Sequence, residues 1–162
     1  MMGTQAIYTW LPSTARVVSI DGFGVTPRGT LPIPAAPPSW PPKDPSDILD
    51  FVVDISDAIA GNEGDSIATI DVAINPSNEG DLTLLSSSAN GDIAILWFSA
   101  GFGGTTYQVT VTIGTNSGRI IGRTINLPVV TFANAQLPPD ALTDQTGAPI
   151  TDQTDAPILV TD

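Results

Sequence analysis

From Tyr107 to Ile113 the side chains alternate without a break: Tyr107, Val109, Val111 and Ile113 fall on one side of an extended backbone, Gln108, Thr110 and Thr112 on the other. That period of two marks a half-buried β-strand. Gly101, Gly103 and Gly104 relax the backbone before it, and Asn116-Ser117-Gly118 supplies residues that tolerate positive φ after it. Residues 101–123 therefore read as a hairpin. No catalytic motif lies on it, so any function has to be built on a β scaffold.

Between Asp47 and Val130 similar short pieces recur, separated by turn residues. Leu49, Phe51, Val53 and Ile55 alternate with Asp50, Val52 and Asp54; Ser56 is then placed to cap a single helical turn through Ala60. Ile70, Val72 and Ile74 line one face of the next strand, which Asn75-Pro76 stops. Leu82 to Leu85 follows, then a serine-rich stretch read as a turn, then Asn90-Gly91, a strong hairpin dipeptide. Ile93 to Phe98 is apolar on both faces, as a central strand would be, with Trp97 expected in the core. Ile125, Leu127 and Val129 close the series. The expected fold class is all-β, an immunoglobulin-like β-sandwich of about seven strands with extended N-terminal and C-terminal arms. Tyr107 follows a glycine-rich corner, where such sandwiches place a tyrosine corner.

Composition shifts on either side of this region and predicts three parts: an arm over 1–42, the sandwich over 43–130 and a tail over 131–162. Nine of the 15 prolines fall within residues 1–45, concentrated in 31–45, which favours polyproline II and a stiff spacer. Upstream, Ala15 to Ile20 reads as a short strand suited to adding an edge to a neighbouring protein. In the tail, Thr-Asp-Gln-Thr-Gly-Ala-Pro-Ile (143–150) is followed directly by Thr-Asp-Gln-Thr-Asp-Ala-Pro-Ile (151–158). Two copies are too few for a self-supporting solenoid. They suit either a disordered acidic tail or an extended arm whose Ile150 and Ile158 seat in repeated pockets of a partner or sister subunit. Trp10 and Trp40, stiffened by nearby Pro12 and Pro41, are the aromatic candidates for partner binding, with burial against the sandwich's own edge as the alternative.

Charge and residue usage narrow the chemistry. Seventeen acidic against five basic residues give a net charge of −12, which repels nucleic-acid phosphates and favours basic partners. The chain has no histidine and no cysteine, so it lacks the commonest general base, imidazole and thiolate metal sites, and any disulfide. The glycines of 100–105 join two strands without a lysine and do not form a phosphate loop. Asp50, Asp54, Asp57, Glu63, Asp65 and Asp71 match no EF-hand spacing and read as solvated acids rather than a calcium site. No catalytic residue, metal or cofactor is expected. The longest apolar run, Ile93 to Phe98, is far short of the roughly 20 residues that span a bilayer. With no secretory signal visible, a protein made in the cytosol or built into a particle there is expected.

Several pieces are shared with a known family. Lys43-Asp44-Pro45-Ser46-Asp47-Ile48-Leu49-Asp50, Gly64-Asp65-Ser66-Ile67, the Tyr107-Gln108-Val109-Thr110 strand, Thr115-Asn116-Ser117-Gly118-Arg119 and Arg123-Thr124-Ile125-Asn126-Leu127 resemble the fiber-tail adaptors of tailed bacteriophages, over roughly 43–130. The chain differs from that pattern in having Ile55 where a tryptophan is common and Ala100 where a second glycine is usual. The resemblance implies a virion structural protein, several copies in a symmetric assembly, with tail or connector proteins and tail fibres as partners and no catalytic residues. The alternative is a carbohydrate-binding or host-adhesion module of the virion, and an enzyme is the third reading.

Overall fold

The computed structural model describes residues 11–21 and 36–132. Within them the protein is all-β, with seven strands in two sheets: β1 (Val17–Ser19), β2 (Leu49–Asp54), β3 (Ile67–Asn75), β4 (Thr83–Asn90), β5 (Ile93–Ser99), β6 (Thr105–Thr115) and β7 (Ile120–Val129). One sheet has the order β1-β2-β5-β4 and the other β3-β6-β7. Every named pairing is antiparallel except β1 with β2, which is parallel. Phe51, Val53, Ala94, Leu96 and Phe98 from the first sheet meet Tyr107, Val109, Val111, Ile113, Ile125, Leu127 and Val129 from the second in one apolar core.

The opening hairpin forms as its alternation requires. Tyr107, Val109, Val111 and Ile113 are fully buried, and on the outer face Thr110 and Thr124 share a hydroxyl–hydroxyl bond of 3.0 Å. Of the turn residues, Gly118 alone takes positive φ, at 85°, where a side chain would be strained. At the other end Gly101 does the same at 97°, with its backbone close against Val129 and Tyr107.

Four local expectations change in the structure. The serines after Leu85 are not a turn: Ser86, Ser87 and Ser88 lie within β4 opposite Trp97, Leu96 and Ile95, because an exposed edge strand places little demand on side-chain volume. Trp97 is not in the core. Leu96 and Phe98 face inward, so the two-residue period turns Trp97 to the outer face, half-buried beside Asp50 and Ser86. Ser56 does not cap the turn at 56–60 with its side chain; its N–H donates instead to the Asp54 carboxylate at 2.9 Å, while Ile59 N–H closes one turn onto the Ile55 carbonyl. The fourth change concerns the N-terminal stretches. Residues 16–20 extend the edge of this chain's own β2, with Val52 N–H bonding the Arg16 carbonyl and Ile20 N–H the Asp54 carbonyl.

Residues 38–43 do the same along β7. Ser39 and Lys43 make parallel bridges to Asn126 and Val129, and Trp40 and Lys43 donate their N–H groups to the Asn126 and Pro128 carbonyls. Prolines are tolerated here because an edge strand needs its N–H groups on one side only. Pro41 and Pro42 fall between the two donating residues.

Ala100 has a φ of 57°, in the left-handed region that alanine occupies at a cost and glycine does not. Glycine at this position relieves that strain, although it also loosens the unfolded chain. Ala100→Gly is therefore expected to stabilise the protein by about 0.5–1 kcal/mol, read as a raised midpoint in urea denaturation.

Candidate functional site

Three polar or aromatic fixtures hold the loops and the N-terminal segments on the domain. The first is Trp40. Its backbone N–H bonds Asn126 on β7 at 2.9 Å, while its indole N–H donates to the Val52 carbonyl on β2 at 3.0 Å. A single residue thus spans the two sheets. Its ring is 2% exposed and meets Phe51 and Phe98 at centroid separations of 5.5 and 6.1 Å, in tilted and edge-on arrangements that aromatic pairs favour. Next to it Lys43 is wholly buried, its Nζ donating to the Asp44 and Asp47 carbonyls at 2.7 and 2.9 Å. Burial pushes the Lys43 ammonium below its ordinary pKa, against the pull of Asp47 and Asp44. Further out, Arg16 grips β2 through the Asp50 carbonyl at 2.6 Å and the Asp50 carboxylate at 2.5 Å.

The second fixture ties the β6–β7 turn to the loop before β3. Asp65 accepts from the Thr115 hydroxyl at 2.8 Å, the Ser117 N–H at 3.0 Å and the Arg119 guanidinium at 2.6 Å; Arg119 also reaches the Asn62 side chain. Burial pushes the Asp65 carboxyl up, but these donors outweigh it and hold it well below the usual carboxylate range.

The third is the corner expected at Tyr107. Its hydroxyl accepts the Phe102 N–H at 3.0 Å and donates to Asp81 at 2.7 Å, and Asp81 also takes the Asn78 N–H at 2.6 Å. The Tyr107 hydroxyl and the Asn78 N–H lower the Asp81 pKa against its burial; burial and the bond to Asp81 raise that of Tyr107. These are structural bonds. Of the acids flagged in the sequence, Asp50, Asp54 and Asp65 accept bonds of this kind, and among the described residues no three His, Cys, Asp or Glu side chains come together as a metal site would require.

Of the four partner-binding candidates, Trp40 has its side chain in the chain's own core, the alternative weighed in the sequence. Trp10, Ile150 and Ile158 lie outside the described residues. Sequence reasoning missed Lys43 and Asp65 as fixtures, although each sits in a segment that carries the family resemblance.

The described residues form a two-sheet β domain whose loops are fixed by internal hydrogen bonds. Residues 43–128 match the family described as podophage GP4 fiber-tail adaptor protein gp77. That match spans more than half of the chain, and the protein belongs to this family of phage fiber-tail adaptors. It is a structural protein of the virion. No curated protein matches the chain.

Two outcomes follow from these fixtures. Trp40→Ala is expected to lower stability by about 3–5 kcal/mol, as truncation of a buried tryptophan does, with the loss measured by urea denaturation. The depressed folded pKa values of Asp65 and Asp81 give stability that is fully present above the unfolded carboxylate value, 3.8, and is lost as pH falls from there toward the folded values. In acid titrations followed by circular dichroism, Asp65→Asn should be less stable than the parent at pH 6, and the gap should narrow as the pH drops below 3.8.

Proposed function

We propose that this protein is an adaptor of a tailed-phage virion that joins the tail or connector to fibre proteins through its terminal segments. Several copies surround the tail, assembly takes place in the host cytoplasm, and the chain has no catalytic role, cofactor, nucleic-acid partner or membrane partner. The observation that carries this reading is where the family match falls: on the β domain, leaving the N-terminal segment and the 131–162 tail as the parts free to differ with the partner. With Trp40 engaged in the core, Trp10, Ile150 and Ile158 are the anchors in this reading. Weak contacts through such arms gain strength from repetition around a symmetric tail.

An immunoglobulin-like assignment fits the same module. The orders β1-β2-β5-β4 and β3-β6-β7 correspond to the two sheets of a constant-type immunoglobulin domain, and the Tyr107 hydroxyl turns back to a backbone N–H five residues upstream as a tyrosine corner does. The parallel pairing of β1 departs from that pattern.

A carbohydrate-binding role is the second reading, favoured by Trp97, which stands half-buried on the outer face beside Asp50 and Ser86. Glycan binding by the full chain that disappears in Trp97→Ala would support it over the adaptor reading.

The adaptor reading is tested by removing residues 133–162, a cut that leaves β7 and the Val130 bond to Lys43 in place. Particles assembled with the shortened chain are expected to carry fewer fibres by electron microscopy. Full fibre occupancy would remove the tail from the attachment mechanism.

A further inference from the structure

The two sheets differ on their outer faces. That of β3-β6-β7 carries Gln108, Thr110, Thr112 and Thr124, the polar surface expected where a sheet meets water. On the four-stranded sheet the residues that alternate with the core set include Val17, Val52, Ile93, Ile95 and Trp97. Val52 and Ile95 are only 2% and 1% exposed, although they point away from the core. Outward side chains are buried to that degree only beneath a further layer of chain.

Residues 11–16 begin that layer. Ser13 donates its N–H to the Asp50 carboxylate at 2.8 Å, and the Arg16 carbonyl accepts the Val52 N–H at 2.8 Å, so the chain is held against β2 here. Leu11 to Thr14 then form one wall of a groove of about 490 Å³ floored by Val17, Val52 and Ile93, with the Asp54 carboxylate as its one charged lining group. Leu11 does not fill it, because its side chain is 77% exposed.

We propose that residues 7–10 of this same chain, Ile-Tyr-Thr-Trp, occupy the groove, with the Trp10 indole seated on Val17, Val52 and Ile93. Chain continuity brings them there: the Trp10 Cα lies about 3.8 Å from that of Leu11, a residue of the groove wall. Pro12 confines Leu11 to extended backbone and so limits how far the entering segment swings. In a chain of net charge −12, residues 1–10 carry no charged side chain, whereas segments that stay in water are charged and poor in aromatics. The chemistry also matches, since an indole brings an apolar body for the floor and an N–H for the Asp54 carboxylate. A tethered segment holds such a site at high effective concentration against any separate chain. This goes beyond the adaptor reading: it holds Trp10 on its own domain and leaves Ile150 and Ile158 as the partner anchors of that reading.

Chymotrypsin, which cuts after aromatic residues, tests the seating on the full-length protein. Cleavage after Tyr8 and Trp10, followed by mass spectrometry, should be about tenfold or more slower than in a free peptide of residues 1–12, because a docked segment is cut only while it is released. Trp10→Ala should restore rapid cleavage after Tyr8 while leaving the groove itself intact. Val17→Asp, which puts a charge on the groove floor, should do the same after both residues. Gln108→Asp, an equal charge change on the outer face of the other sheet, should leave the protection in place. Circular dichroism of each variant checks folding. Cleavage of the parent at the free-peptide rate, or protection that survives Trp10→Ala, would overturn the proposal. Protection found only in assembled particles would assign the groove to a partner in place of residues 7–10. None of these outcomes bears on the fibre counts that test the tail.

Discussion

The two sheets are bridged by one residue from outside both. Trp40 takes its backbone position from β7 and delivers its indole N–H to β2, so its place depends on both layers being present and correctly spaced. A buried indole N–H without an acceptor is costly, and here the acceptor is a main-chain carbonyl of a strand that also bonds β1. Displacing β1, β2, β7 or residues 38–43 would therefore disturb the others. The Lys43 ammonium, tied to the Asp44 and Asp47 carbonyls, fixes the chain as it turns from this bridge into β2.

The sheets were legible in the sequence wherever one strand declared its own parity. Tyr107 to Ile113 alternates so strictly that its buried face can be read directly, and β7 follows by pairing with it. Parity was ambiguous in Ile93 to Phe98, where both faces are apolar; choosing Trp97 as core was natural, yet Leu96 and Phe98 hold the inward positions. The same ambiguity left room for Trp40. Its proline-rich setting indicates extended backbone correctly but carries no information about which edge, 86 residues away in sequence at Asn126, that backbone will join. Long-range pairing of this kind has no local signature.

The acids show a related limit. Seventeen carboxylates in a chain with five basic groups look like a solvated surface, and composition cannot tell which are anchored. Asp65 and Asp81 are anchored because turns converge on them: each accepts a main-chain N–H and a side-chain hydroxyl across a loop. The family resemblance located one of these segments, Gly64-Asp65-Ser66-Ile67, without revealing its partner at Thr115 to Arg119.

The seating of residues 38–43 against β7 also has a bearing on the order of events during synthesis. Its acceptors at Asn126 and Pro128 belong to the last strand of the domain, so the flank sealed by Trp40 cannot close until that strand has left the ribosome. Contacts between segments so far apart in sequence form slowly because a long loop must be closed first. For that interval the gap between the sheets beside Trp40 stays open, and completion of β7 is the step that closes it.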